Sequence, residues 1–139
     1  MSLSIRNQIP GTVTAVTTGE AMASVKVRLD GGQNLVSAIT VDAVKDLGIS
    51  EGSAVSALVK STEVALTTGA VEGLSIRNRL PGTVRDIAAG TAMATVKVDV
   101  AGGQLTAAIT KEAVTDLGLT VDSPVTALIK ATEVSLTTG

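Results

Sequence analysis

The stretch "LSIRNQIPGTV" (residues 3–13) returns as "LSIRNRLPGTV" (74–84), identical at nine of eleven positions and displaced by 71. A fixed internal offset marks a duplicated structural unit, and it has to be recognised before helices or strands are assigned. The match extends outward from this stretch. "AMASVKVRLDGGQNLVSAIT" (21–40) answers to "AMATVKVDVAGGQLTAAIT" (92–110), where one deletion near Asn34 reduces the offset to 70. "VDAVKDLGIS" (41–50) answers to "KEAVTDLGLT" (111–120), and "VSALVKSTEVALTTG" (55–69) to "VTALIKATEVSLTTG" (125–139). The reading is a first domain over 1–69, a linker "AVEG" over 70–73, and a second domain over 74–139.

Composition limits what these units can do. Of the 139 residues 45% are hydrophobic, which excludes a disordered chain. There is no aromatic residue, no histidine and no cysteine, and the formal net charge is −2. Without cysteine there is neither a disulfide framework nor a thiolate metal site. Base stacking on Phe, Tyr or Trp is impossible and no basic excess is present, so a nucleic-acid partner is not expected. General acid–base or nucleophilic chemistry would fall to Asp, Glu, Lys, Ser or Thr, and no motif calls for it, so no enzyme activity is expected. No apolar run approaches the ~20 residues that span a bilayer, and "MSLSIRNQ" does not read as a signal peptide. The expectation is a cytoplasmic protein without membrane attachment.

Each unit is small, and Val, Leu, Ile and Ala must supply all of its core. Small scaffolds lacking disulfides or metals often gain stability by association. In "ASVKVRL" (23–29) Val25, Val27 and Leu29 alternate with Ser24, Lys26 and Arg28, the period of a half-buried strand. "DGG" (30–32) supplies turn residues, and "QNLVSAIT" resumes the extended pattern, so the pair reads as a hairpin. "GTVTAV" (11–16), "AVSALVK" (54–60) and "EVALTT" (63–68) read as further strands, the last closing the unit. "TVDAVKDLG" (40–48) is the helix candidate, with Thr40 as its cap, Asp42 in its first turn and Gly48 at its end. Its counterpart is "TKEAVTDLG" (110–118). About five strands and one short helix per unit predict a mostly β chain of two tandem OB-like Greek-key barrels.

Hydrogen-bond donors concentrate in three places. Ser4, Arg6 and Asn7 stand at the start of a strand, Lys60 and Ser61 at the end of another, and Thr40 at the helix cap. Ser75, Arg77, Asn78, Lys130 and Thr110 repeat the arrangement, while Ala131 replaces the second serine. Brought together, such groups make a pocket for a tetrahedral oxyanion. Each residue also has a plain structural reading. A lone Arg or Lys on a strand is usually solvated, and a Thr before a helix is usually a cap.

The ordered set "SIRNQIPGTV", a "GG" hairpin, "IT" before the helix, "LG" after it and "ALVKSTEV" resembles the molybdenum-pterin-binding protein (Mop) family, the molbindins, in tandem di-Mop form. The family opens with Ser-Ala-Arg-Asn; Ile5 and Ile76 stand here in place of the Ala. The resemblance implies an OB-like fold and non-enzymatic binding of molybdate or tungstate for intracellular storage, buffering or homeostasis. It also implies a homotrimer with oxyanions between subunits, held by Ser4, Arg6, Asn7, Thr40, Lys60 and Ser61 and by Ser75, Arg77, Asn78, Thr110, Lys130 and Ala131. Relatives often carry Ser three residues after the capping Thr, where this chain has Ala43 and Ala113. Only a backbone N–H is then left at that point. No cofactor is implied: with no aromatic ring to stack on a pterin, the bare oxyanion is the expected ligand. A sensing module acting through a protein partner is the alternative, although the chain has neither a helix-turn-helix candidate nor a Gly-rich nucleotide loop.

Overall fold

Burial follows the alternation. Val25, Val27 and Leu29 are buried, and Lys26 and Arg28 between them are exposed. The computed structural model describes residues 2–139. The first repeat forms β1 (Asn7–Thr18), β2 (Met22–Leu29), β3 (Asn34–Thr40), α1 (Val41–Leu47), β4 (Ala54–Val59) and β5 (Ala65–Thr67). The second forms β6 (Asn78–Ala89), β7 (Met93–Val100), β8 (Gly103–Thr110), α2 (Lys111–Leu117), β9 (Pro124–Ile129) and β10 (Ser135–Thr137). A short 3-10 turn precedes each last strand, at Ser61–Glu63 and Ala131–Glu133.

The expected helices are present. The Thr40 and Thr110 hydroxyl oxygens accept from the N–H groups of Ala43 and Ala113, both at 3.1 Å, and so cap the helix starts. Gly48 and Gly118 end the helices in the left-handed region, at φ 64° and 63°, where glycine carries no Cβ penalty. The first strand runs longer than "GTVTAV" suggested because it serves two neighbours. Its first half pairs with β4 (Asn7↔Val59 to Thr12↔Ala54) and its second half with β2 (Gly11↔Leu29 to Thr18↔Ala23). A bulge between Val13 and Ala15 adds the local twist that such a strand requires. At Gly11 a Cβ would lie 2.6 Å from the Arg28 carbonyl oxygen, so only glycine permits this approach. The deletion near Asn34 falls in a hairpin turn. In the second repeat Val100 pairs with Gly103 around Ala101 and Gly102, whereas in the first the turn runs from Leu29 to Gln33.

The last strands do not close their own repeats. The two curled sheets run β10-β4-β1-β2-β3 and β5-β9-β6-β7-β8, so the repeats exchange β5 and β10. Ala65 pairs with Leu128, and Ser135 with Leu58. The Ser37 hydroxyl on β3 donates to the Val134 carbonyl at 2.6 Å, tying the far edge of the first sheet to the segment that enters it from the second repeat. The larger hydrophobic cluster accordingly crosses both repeats, Val13, Val25 and Leu35 sharing it with Leu80, Leu105, Ile129 and Val134, while Val84, Val96, Val98, Leu119 and Val125 form a second within the second repeat. The tips of the β2–β3 and β7–β8 hairpins also meet, and a Cβ on Gly31 would lie 2.2 Å from the Ala101 carbonyl oxygen.

Candidate functional site

Strand register builds the site. Asn7↔Val59 is the last pair of the β1–β4 ladder, so Arg6 and Lys60 are the next residues beyond it on the two strands. Asn78↔Ile129 ends the β6–β9 ladder in the same way, and Arg77 and Lys130 beyond it line one cavity. Ser4, Arg6 and Lys60 are exposed and Ser61 is half-buried; Ser75, Arg77 and Lys130 are exposed and Ala131 is half-buried. Two cations held side by side repel each other, and an anion between them reverses the sign of that interaction.

In the second repeat a cavity of about 200 Å³ is lined by Ser75, Ile76, Arg77, Lys130, Ala131 and Thr132. It offers two cations and two hydroxyl side chains and contains no carboxylate. A larger cavity of about 400 Å³ shares Lys130 and Ile76 with it. This one joins Thr110 and Ala113 to Thr62–Ala65 of the first repeat, and Glu63 is on its wall. Four residues of the second expected set thus line one cavity, and Thr110 lines the other. Thr132, and Thr62 in the first repeat, were not among the expected residues. The signal was available: "TEV" follows both Lys-Ser and Lys-Ala, so the Thr is repeated where the Ser is not.

Asn7 and Asn78 are placed differently from the rest. They are buried, at 3% and 1% exposure, and line neither cavity. The Asn7 carboxamide crosses to β8, donating to the Thr106 carbonyl at 2.9 Å and accepting from the Thr106 N–H at 2.7 Å. Asn78 treats Val36 on β3 alike, at 2.8 and 2.7 Å. Each side chain acts as one residue of a pairing strand along the other repeat's sheet edge. It leaves one amide N–H of its own uncommitted. The N–H groups of Ala43 and Ala113 are likewise engaged, by the capping threonines.

Among the described residues, no group of three or more His, Cys, Asp or Glu side chains is arranged to hold a metal ion. Among these residues no helix is long and apolar enough to cross a membrane. The donors are ammonium, guanidinium and hydroxyl groups, which suit an anion as a whole rather than a bare cation.

The TOBE domain matches residues 3–66 and again 74–136. The chain belongs to the TOBE domain family, in its tandem Mop form. A crystal structure of ModG, a cytoplasmic molybdate-binding protein, with molybdate bound is 39% identical and superimposes with a TM-score of 0.96, covering 100% of both chains. Molybdenum-pterin-binding protein MopB of Rhodobacter capsulatus is 37% identical over 96% of this chain and 50% of its own length. Molybdenum-pterin-binding protein 3 of Clostridium pasteurianum is 42% identical over 48% of this chain and 97% of its own length, so it corresponds to a single repeat. The chain spans about half the length of MopB and of several other curated relatives it matches.

Proposed function

We propose that this chain is a non-enzymatic binder of molybdate, and of tungstate as the closely similar oxyanion, that stores or buffers the anion in the cytoplasm. The observation that carries this reading is the carboxylate-free cavity that Arg77 and Lys130 line together with Ser75 and Thr132. Its support from outside the chain is the likeness to ModG along the whole length. Molybdate is a dianion at neutral pH. Two cations offset its charge, and hydroxyl groups supply directed donors around the tetrahedron. Ser4, Arg6, Thr40, Lys60 and Ser61 provide the first-repeat equivalent. The exposure of these groups in one chain fits completion of the sites by further copies, and the assembly we propose is a homotrimer with sites between subunits. A ligand that binds only the native state stabilises it by about 2.7 kcal/mol at one hundred times its dissociation constant. Molybdate and tungstate should therefore raise the melting temperature well above the effect of sulfate or phosphate at equal concentration. Native mass spectrometry with molybdate present reads subunit number and bound anions together. Equal thermal responses to all four anions, with no anion retained in the native spectrum, would refute the reading.

A further inference from the structure

The two repeats hold their opening segments by different means. In the first, Arg6 folds back on its own segment: Nε donates to the Ser4 carbonyl at 3.0 Å and Nη2 to the Leu3 carbonyl at 3.2 Å. Gln8 donates to the Ile5 carbonyl at 3.0 Å. In the second repeat Arg79 occupies the position of Gln8. Its Nε donates to the Ile76 carbonyl at 3.1 Å, as Gln8 does to Ile5, and its Nη2 donates to the Leu74 carbonyl. That second bond is the counterpart of the one Arg6 makes to Leu3. One arginine thus satisfies the carbonyls on both sides of Ser75, and among the described residues Arg77 donates to no protein acceptor.

We propose that Arg79 is a positioning residue for the second-repeat oxyanion site and makes the two sites of each chain unequal. The inference rests on the oxyanion reading of the Ser75–Arg77 and Lys130 cavity. Arg79 does not line that cavity. It acts by engaging the Leu74 and Ile76 carbonyls with the two prongs of its guanidinium, which leaves the whole Arg77 fork for the ligand. Arg6 has already committed its Nε and one Nη2 proton to backbone carbonyls, so only three of its five N–H donors are left for an anion while that fold-back holds. Arg79 also brings a third positive charge near the second site, where the first has a neutral amide.

The test is calorimetric titration of molybdate into the full chain carrying Arg79→Gln, Arg79→Lys or Gln8→Arg. Gln is the first repeat's own residue at this place, so the fold accommodates it. Arg79→Gln should weaken one binding phase about fivefold, the scale of an exposed charged contact, and spare the other. Arg79→Lys keeps the charge but loses the fork, and should stay weakened. Gln8→Arg should strengthen the other phase by a similar factor. Unaltered binding in Arg79→Gln, or full recovery in Arg79→Lys, would overturn the positioning role. Arg77→Gln and Lys130→Ala separate the two levels. If they weaken binding while Arg79→Gln does not, only the brace fails; if they too leave binding unaltered, the site reading fails with it.

Discussion

Replacing Asn78 by alanine tests whether its carboxamide is a structural clasp between the repeats. The side chain is 1% exposed and makes two hydrogen bonds to Val36, at 2.8 and 2.7 Å. A typical hydrogen bond contributes about 0.5–1.5 kcal/mol net, and an orphaned buried group costs about 1–3 kcal/mol. Val36 is half-buried, so water can reach its freed N–H and C=O only in part. The expected loss is about 2–3 kcal/mol. For a chain of this length about 1 kcal/mol moves the melting temperature by roughly 3–4 °C, giving a drop of roughly 6–12 °C. The assay is thermal or urea unfolding without molybdate, at fixed protein concentration because association shifts apparent stability. Asn78→Asp sharpens the test. A carboxylate accepts from the Val36 N–H but faces the Val36 carbonyl without a proton to donate. Burial and that carbonyl favour the protonated form, which restores the donor. The deficit of this variant should therefore be full at neutral pH and narrow as pH falls. An alanine variant within about 0.5 kcal/mol of the parent, the range of ordinary surface substitutions, would refute the clasp.

Two further outcomes are expected. Gly31→Ala should destabilise by about 1–3 kcal/mol in urea unfolding, as overpacking does, because its Cβ meets the Ala101 carbonyl oxygen; Gly103→Ala, with nothing within 4 Å of the added Cβ, should be near neutral. In molybdate calorimetry Ser61→Ala should weaken one class of site by about tenfold or more and Ala131→Ser should strengthen the other, since a hydrogen bond to a charged group contributes about 1.5–3 kcal/mol.

What the sequence made legible is what depends on local pattern. The alternation in "ASVKVRL", the Gly turn and the Thr40 and Gly48 caps each act within a few residues, and each reappears in the structure. The exchange of β5 and β10 was not legible, for a physical reason. "EVALTT" and "EVSLTT" are nearly the same strand, and "VSALV" and "VTALI" nearly the same neighbour. Duplication makes the self pairing and the crossed pairing almost equal in local complementarity, so pattern cannot choose between them. The structural use of the asparagines was hidden for a related reason. An amide beside Ser and Arg reads as one more donor for an anion. Its use on Val36 or Thr106 becomes visible only once a sheet edge from the other repeat lies beside it.

The crossing also connects stability to the proposed binding. Lys130 lines both the cavity within the second repeat and the cavity that includes Thr62–Ala65 of the first. Those residues lead directly into β5, whose Ala65 pairs with Leu128 two positions before Lys130. A ligand that orders Lys130 therefore acts on a segment whose partner strand comes from the other repeat. By linkage, whatever the exchanged pairing contributes to ordering Lys130, the ligand returns as stabilisation of that pairing. Two independent barrels would confine the effect of an anion to one repeat. With the last strands crossed, loosening β5 should disturb the proposed second-repeat site, and occupation of that site should hold the first repeat's chain in place.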